Sequence, residues 1–303
     1  MIKNDLIQKY FNKTNELSFE NKTYKTAVDD LTSWLLDNDK VEDDITTNLL
    51  FDKPQDINAH IVAKQDLIIS GIDEVEYLLQ EFTNLDYEIL FNDGDKVGEK
   101  VIIAQISGDV KEVLAYERVI LNILQRLSGI ATETRGIVDK IKRDKPKIAA
   151  TRKTPWGFLD KKAVANGGGI THRLNLANNI LVKDNHLMLI SPKDALNKIL
   201  EKTKNTLIEI EVDDEKTITE LIDIFSKEKT TNTLAILLDN FSPQKVKKIL
   251  SVNKFPYNII FEASGGITKE NIDKWVDTGV DIISLGSLTH SPKAADISLD
   301  VIR

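Results

Sequence analysis

The second half of the chain alternates short apolar segments with amphipathic ones, and this alternation constrains the fold more than any other feature. Six apolar segments follow one another within residues 147–287, namely KIAATRK, NILVKDNH, LIEIEVDD, LAILLDN, NIIFEASGG and DIISLGS. Strands that alternate with helices in this way form parallel sheets that are buried on both faces. The pattern therefore favours a small α/β barrel over an open sheet.

The first half has a different pattern, which is typical of an α+β domain. Apolar residues at helical spacing predict helices over residues 27–38 and 112–127, the second ending at Ser128-Gly129. Residues 56–110 contain strand-like stretches on either side of a helical GIDEVEYLLQEFT segment. The first 25 or so residues of the chain are polar and rich in Asn and Lys, and they are predicted to form a helix or a loosely held extension.

Charge and cysteine content exclude several classes of protein. The chain has 40 Lys and Arg against 48 Asp and Glu, unlike nucleic-acid binders with their basic footprint. It has no Cys, hence no disulfide and no thiolate metal site. We find no secretory signal and no run near the roughly 18 apolar residues that a membrane helix needs. We therefore expect a cytoplasmic protein that binds neither nucleic acid nor membranes.

Each of the six predicted strands ends on polar or glycine residues. These ends are Arg152-Lys153, Lys183 to His186, Glu211 with Asp213, Asp239-Asn240, Glu262 with Ser264 to Gly266, and Gly286-Ser287. The carboxyl ends of parallel barrel strands meet at one mouth, where active sites lie. One charged strand end is usually only a solvated rim, but six of them with both signs of charge predict a ligand site.

The last two strand ends predict phosphate binding. Ser264, Gly265 and Gly266 precede a predicted helix, KENIDKWVDTG, whose N-terminus would offer free N–H groups. Gly286 opens a second loop of small residues, and phosphate sites at the last two strands recur in barrel enzymes. His290 lies just after this loop, within reach of the same phosphate.

Carboxylates occupy the two preceding strand ends. Glu209, Glu211 and Asp213 alternate with apolar residues and so share one strand face, and Asp239 ends the next strand. Carboxylates beside a phosphate site suit a hydrated Mg²⁺ that carries a phosphorylated substrate. An ion pair inside the barrel is the alternative interpretation. Zinc spacing of His and Cys is absent from the sequence.

Cations are concentrated in residues 151–186, which hold six Lys and Arg against two Asp. Arginine binds carboxylates through two parallel hydrogen bonds, and lysine supplies a point charge. The segment therefore predicts a small ligand with more than one negative group. The predicted ligand contacts are Arg152, Lys153, His172, Arg173 and Lys183, whereas Lys161-Lys162 is interpreted as a solvated helix face.

Seven ordered motifs resemble one known family. TRKT, GGG-x-x-HR, L-V-KDNH, IE-x-EVD, LLDNFSP, EASGGI and SLGSLTHS occur in the order seen in quinolinate phosphoribosyltransferases, the carboxylating nicotinate-nucleotide pyrophosphorylases. Upstream, DDITTNLLF and ER-x-x-LN-x-LQRLSGIAT are similar to the N-terminal domain of that family and its connection to the barrel. The resemblance covers residues 27–303.

The resemblance implies an α/β fold, type II phosphoribosyltransferase-like, with an N-terminal α/β sandwich domain and an incomplete α/β barrel. It implies a pentosyltransferase that joins quinolinate to phosphoribosyl pyrophosphate with Mg²⁺, giving nicotinate mononucleotide, CO₂ and pyrophosphate for NAD biosynthesis. A homodimer or a hexamer of dimers is expected. The predicted parts are an extension (1–26), the sandwich (27–118), the barrel (119–290) and a tail returning towards the N-terminal domain (291–303).

The resemblance also implies roles for individual residues. Those expected around the two carboxylates of quinolinate are Arg118 (from the partner subunit), Arg152, Lys153, His172, Arg173 and Lys183. Those expected around phosphoribosyl pyrophosphate are Glu211, Asp239, Ser264, Gly265, Gly266, Gly286 and His290, with Mg²⁺ near the first two. Lys153, Glu211 and Asp239 are the predicted catalytic residues.

The match departs from the family pattern in two loops. TRKTPWGFLDK is shorter than the usual TRKT-x-PG-x-R segment and lacks its arginine, and Asn175 stands where glycine is expected.

Rival hypotheses are a related phosphoribosyltransferase-like enzyme of molybdenum metabolism, a Schiff-base aldolase using Lys183, and a non-catalytic binder of a phosphate ligand. The intact KDNH sequence and the carboxylates favour the quinolinate enzyme.

Overall fold

The structure, a computed structural model, describes residues 2–141, 145–252 and 255–302. Met1 and Arg303, the outer ends of the predicted extension and tail, lie outside them. The elements in chain order are α1 (Lys3–Phe11), α2 (Lys22–Asp39), α3 (Ile45–Leu50), β1 (Asp56–Ala63), β2 (Leu67–Ile68), α4 (Ile72–Phe82), β3 (Asp86–Ile89), β4 (Lys96–Val97), β5 (Ile102–Asp109), α5 (Val110–Ile141), β6 (Lys147–Ala149), α6 (Phe158–Asn166), β7 (Ile180–Val182), α7 (Asp184–Leu187), α8 (Pro192–Lys202), β8 (Leu207–Val212), α9 (Glu215–Lys227), β9 (Thr233–Asp239), α10 (Pro243–Val252), β10 (Ile259–Ser264), β11 (Ile282–Ser284), α11 (Ser287–His290) and β12 (Ile297–Ile302).

The first compact unit, residues 1–13, 137–153 and 169–287, contains the predicted parallel strands. All six form one sheet in the order β6-β11-β10-β9-β8-β7, and every pairing in it is parallel. The α/β prediction with an incomplete barrel is confirmed. Since side chains alternate along a strand, each strand sends every second residue to the barrel interior.

Helix α1 belongs to this unit and is not a loose extension. Its Leu6, Ile7, Tyr10 and Phe11 form one buried cluster with apolar residues of the parallel-sheet unit. These barrel residues are Ala149, Ile170, Leu207, Ala235, Ile260 and Ile282, all of them buried. Helix α1 therefore contributes apolar side chains to the core of this unit.

The second compact unit comprises residues 14–136, 154–168 and 288–303. Its main sheet has the antiparallel order β12-β1-β5-β3, and β2 pairs with β4 in a two-stranded ribbon. The C-terminal strand thus pairs along β1. The domain boundaries predicted from sequence, after residues 26, 118 and 290, stay predictions.

Helix α5 runs through Ser128-Gly129, so the predicted end of the helix there is wrong. A glycine inside a helix costs about 1 kcal/mol relative to alanine, which the packing around a long helix outweighs. Gly129 is required because the chain passes close to it. A Cβ at this position would lie 2.0 Å from the carbonyl oxygen of Lys293.

The predicted helix after Gly266 is also wrong. Residues Ile272–Lys274 form only a 3-10 turn, and further turns lead to β11. The Asn271 side chain fixes this conformation, since it accepts from the N–H of Thr268 (2.9 Å) and donates to the carbonyl of Gly266 (2.9 Å). The glycine pair therefore does not stand at the N-terminus of an α-helix.

The interpretation of Lys161-Lys162 as a solvated helix face is wrong as well. Both residues are buried in α6. The Nζ of Lys162 lies 2.7 Å from Glu74, 2.7 Å from Asp73 and 3.0 Å from Asp93. A buried charge needs partners, and those three carboxylates, 69 to 89 positions away in sequence, could not be assigned from local pattern. No described helix is long and apolar enough to cross a membrane.

Candidate active site

The carboxyl ends of β8 and β9 bring two half-buried carboxylates together. Burial raises the pKa of Glu211, and the neighbouring Asp239 raises it further. Burial likewise raises the pKa of Asp239, while Lys153 and then Lys183 lower it. These effects place the two predicted carboxylates and two of the predicted cations in one electrostatic environment, which would stabilise a cation placed between the carboxylates.

The conformation of the glycine pair after β10 is required by Asn240, the residue that follows β9. Gly265 has a φ of +94°, and a Cβ there would lie 2.2 Å from the side-chain oxygen of Asn240. Gly266, with a φ of +59°, faces open space. Asn240 also donates to Asp239 Oδ2 (2.6 Å). Because Gly265 has no Cβ, the Asn240 side chain can pack against its backbone. Gly266 leaves room for a ligand at the strand end.

Two arginines of the candidate site lie close enough together for the charge of one to affect the other. Arg152 is exposed after β6, whereas Arg173 is only 6% exposed. Burial lowers the pKa of Arg173, and the charge of Arg152 lowers it further. The Arg173 Nε has no hydrogen-bond partner among the described residues. A buried guanidinium with an unused donor beside a second guanidinium is suited to bind a carboxylate.

His172 lies inside the barrel rather than at its mouth. It is 7% exposed, and its Nε2 is 3.2 Å from Glu262 Oε2 and 3.4 Å from Glu209 Oε2. Its Nδ1 accepts the backbone N–H of Arg173 (2.8 Å). The Ser284 hydroxyl donates to the other oxygen of Glu262. His172 therefore connects two buried carboxylates to the backbone of the buried arginine.

The charge of His172 is set by opposing effects. Burial favours the neutral ring, but Glu262 and Glu209 outweigh it and raise the pKa of His172 to about 9. An imidazolium carries a proton on both nitrogens, so the charged form loses the bond from the Arg173 N–H. The two charge states thus differ in how the backbone of Arg173 is held.

Glu262→Gln is expected to lower the pKa of His172 and to flatten the pH dependence of stability. Because the folded pKa exceeds the ordinary value, this histidine stabilises the fold fully below about pH 6.5, and up to about 3 kcal/mol is lost as the pH rises towards 9. Thermal unfolding across this range, with an NMR titration of the ring, measures both effects. Ser284→Ala keeps the charge of Glu262 and should retain the slope. An unchanged slope in Glu262→Gln would contradict this account.

The polar layer formed by Glu209, Glu262 and Ser284 was missed as a set. Each residue lies two positions before a predicted site residue: Glu209 before Glu211 and Glu262 before Ser264 on the same strands, and Ser284 before Gly286, which follows β11. Period-two alternation places residues at i and i+2 on one face, so this signal was present in the sequence. What the sequence did not contain was the position of His172 between them.

Arg118 and His290 belong to the second compact unit. Arg118 is exposed on α5, with Glu117 at 3.7 Å. His290 ends α11, is exposed, and has its Nδ1 2.6 Å from Ser291 Oγ. Their part in the predicted site stays a prediction, as do the individual ligand contacts proposed for the other residues.

The fold and the strand ends define an α/β-barrel protein whose candidate site combines neighbouring guanidinium groups, half-buried carboxylates and an open glycine loop. The family model for the quinolinate phosphoribosyl transferase C-terminal domain matches residues 130–300. The model for the N-terminal domain of the same family matches residues 44–128. The chain belongs to the quinolinate phosphoribosyltransferase family.

Individual relatives agree with this assignment. The chain is 39% identical over 271 residues to a probable carboxylating nicotinate-nucleotide pyrophosphorylase of Bacillus subtilis, covering 85% of this chain and 88% of the relative. The Methanocaldococcus jannaschii protein of the same name is 37% identical over 270 residues (86% and 92%). The structure of the nicotinate-nucleotide pyrophosphorylase from Francisella tularensis superposes with a TM-score of 0.81 at 32% identity (91% and 96%).

Proposed function

We propose that this chain transfers the phosphoribosyl group of phosphoribosyl pyrophosphate to quinolinate with decarboxylation, releasing nicotinate mononucleotide, CO₂ and pyrophosphate, a step of NAD biosynthesis. Family membership supports the reaction. The single observation that carries it is the buried Arg173, whose unused Nε and nearby Arg152 fit a ligand with two carboxylates. Nicotinic acid, with one carboxylate, would leave part of this charge unpaired.

In the proposed reaction, Arg152 and Arg173 hold the dicarboxylate so that its ring nitrogen faces C1′ of the sugar. Fixing two reactants in this way removes much of the entropic barrier. Departure of pyrophosphate leaves positive charge on C1′, which Glu211 and Asp239 stabilise electrostatically. The positive charge of the quaternised ring nitrogen then stabilises the electron pair that stays on the adjacent ring carbon when its carboxylate leaves as CO₂, and a proton from water completes that carbon. Lys153 supplies positive charge close enough to Asp239 to lower the pKa of that carboxyl group.

The phosphate end of the sugar is proposed to lie against the loops after β10 and β11. Gly266 opens onto free space there, and the half-buried Ser264 and Gly286 end the adjacent strands. Backbone N–H groups of glycine loops bind phosphate without a bulky side chain in the way.

Mg²⁺ is proposed to enter with the pyrophosphate, near Glu211 and Asp239. The donor set fits, because Mg²⁺ prefers carboxylate oxygen and keeps several of its waters. Both carboxylates are half-buried, and burial raises the pKa of each, so a nearby cation would stabilise their charged forms. The ion, when bound, neutralises charge on the leaving pyrophosphate.

A cytoplasmic homodimer is part of this proposal, with Arg118 reaching the site of the partner. Two exposures support the dimer. The Arg118 side chain is 54% exposed. The apolar residues Ile45, Leu49 and Leu50 of α3 are each at least 70% exposed. Exposed apolar patches of this kind are typical of interaction surfaces.

An assay of the purified protein with quinolinate, phosphoribosyl pyrophosphate and Mg²⁺ tests the function. We expect nicotinate mononucleotide as product, a preference for quinolinate over nicotinic acid of at least about 100-fold, and loss of product in Arg152→Ala. A folded protein that binds phosphoribosyl pyrophosphate but forms no product from quinolinate would refute the proposal and indicate a different acceptor.

A further inference from the structure

The C-terminal end of α1 contacts the segment that carries His172 and Arg173. The rings of Phe11 and His172 meet edge to face, with centroids 5.0 Å apart and planes at 84°. Phe11 is fully buried, and His172 nearly so. Contacts of this geometry between aromatic rings restrict both partners. The His172 ring is therefore held on one side by Phe11 and on another by Glu209 and Glu262.

Backbone contacts add to this ring contact. The N–H of Lys13 donates to Thr171 Oγ1 (2.7 Å), and the Asn179 side chain donates to the carbonyl of Tyr10 (2.6 Å). Both connect the end of α1 to residues 171–179. Between them, His172 has a φ of +54°, a left-handed conformation that costs energy for a residue other than glycine. The contacts from α1 help to hold this conformation.

We propose that the end of α1, through Phe11, is a positioning element for the dicarboxylate-binding residue Arg173. This inference rests on the proposed function. It concerns a part of the chain outside the residues that match the family, since that match begins at residue 44. Phe11 itself touches no substrate in this scheme, and it acts through His172.

The physical reason is the chain of contacts from Phe11 to the ligand. The Nδ1 of His172 lies 2.8 Å from the backbone nitrogen of Arg173, and the two residues are consecutive in the chain, so the placement of the ring influences the backbone of the arginine in either charge state. If the ring turns, the guanidinium moves with that backbone. Misplacement of a binding group by about 1 Å is enough to reduce catalysis by up to about 100-fold. The phosphoribosyl pyrophosphate site depends on the ends of β8 to β11 instead, and should be affected less.

The test compares Phe11→Ala with Ile7→Ala in the full-length protein. Ile7 lies one turn earlier in α1 and is equally buried in the same apolar cluster, so both variants leave a cavity there. Steady-state kinetics should show KM for quinolinate raised about ten-fold in Phe11→Ala and less than about two-fold in Ile7→Ala. KM for phosphoribosyl pyrophosphate should stay within about two-fold in both, and thermal unfolding should show similar losses.

Phe11→Leu refills most of the volume and keeps the variant folded. It is expected to bring KM for quinolinate to within about three-fold of the wild-type value. If the wild type is active and Phe11→Ala and Ile7→Ala change KM for quinolinate equally, the positioning role is overturned. The proposed function would then still stand. A wild type that neither binds nor converts quinolinate would overturn both.

Discussion

Replacing Arg173 with methionine is expected to stabilise the unliganded protein while reducing kcat/KM for quinolinate at least about a thousand-fold. These opposite effects have one cause. The guanidinium is buried, its Nε has no hydrogen-bond partner among the described residues and Arg152 repels it, so the charge of Glu209 offsets only part of its desolvation in the absence of ligand. Removing such a group recovers about 1 kcal/mol or more.

The same group is proposed to bind a carboxylate of the substrate. A charge-assisted pair in a buried site contributes far more than an exposed one, because little water competes for it. Methionine has similar length and fills the space without charge. Denaturant or thermal unfolding measures the first effect, and steady-state kinetics with quinolinate measures the second.

Arg152→Met is the matched control for this experiment. Arg152 is exposed, so its replacement should leave stability nearly unchanged and still reduce the use of quinolinate. Loss of stability in Arg173→Met, together with retained activity, would show that Arg173 is a structural residue that does not contact the ligand.

Asp239→Asn is expected to reduce kcat/KM for phosphoribosyl pyrophosphate about a thousand-fold with little change in KM for quinolinate. The substitution keeps the shape of the side chain and removes its charge. In the proposed mechanism that charge faces both C1′ and the pyrophosphate with its metal ion, so its removal acts mainly on the transition state. Kinetics at varied concentrations of each substrate separate the two expectations.

A second readout of this variant does not depend on turnover. Asp239 is one cause of the raised pKa of Glu211, so Asp239→Asn should lower that pKa towards its ordinary value. A carboxyl group with a raised pKa loses its stabilising contribution as the pH rises through that pKa. The loss of stability of the wild type as the pH rises through the mildly acid range should therefore be smaller in the variant.

Asp213→Asn provides the control, since Asp213 is an exposed carboxylate beyond the end of β8 and raises the pKa of Asp239 only as a minor cause. Its replacement should change kcat/KM by no more than a few-fold. Equal losses in the two variants would mean that general negative charge at the barrel mouth matters, and not the position of Asp239.

Local pattern was enough for the elements that hold the candidate site. The six strands were readable because a strand buried on both faces needs a continuous apolar run, and each run stops where the strand reaches solvent. Glu211, Asp239 and Ser264 were readable because those stops mark the mouth of a barrel. Helix ends were less predictable. Gly129 suggested a break in α5, whereas it accommodates the backbone of Lys293.

The sequence by itself determined the order of strands and helices, the residues at the mouth of the barrel and the family. These depend on periodicity and on motifs, which are properties of neighbours in the chain. Tertiary structure alone decided that Lys162 is buried among three carboxylates, that Phe11 packs on His172, and that His172 lies between Glu209 and Glu262. Each of these pairs residues far apart in sequence, and burial makes such contacts energetically important only once the chain has brought them together.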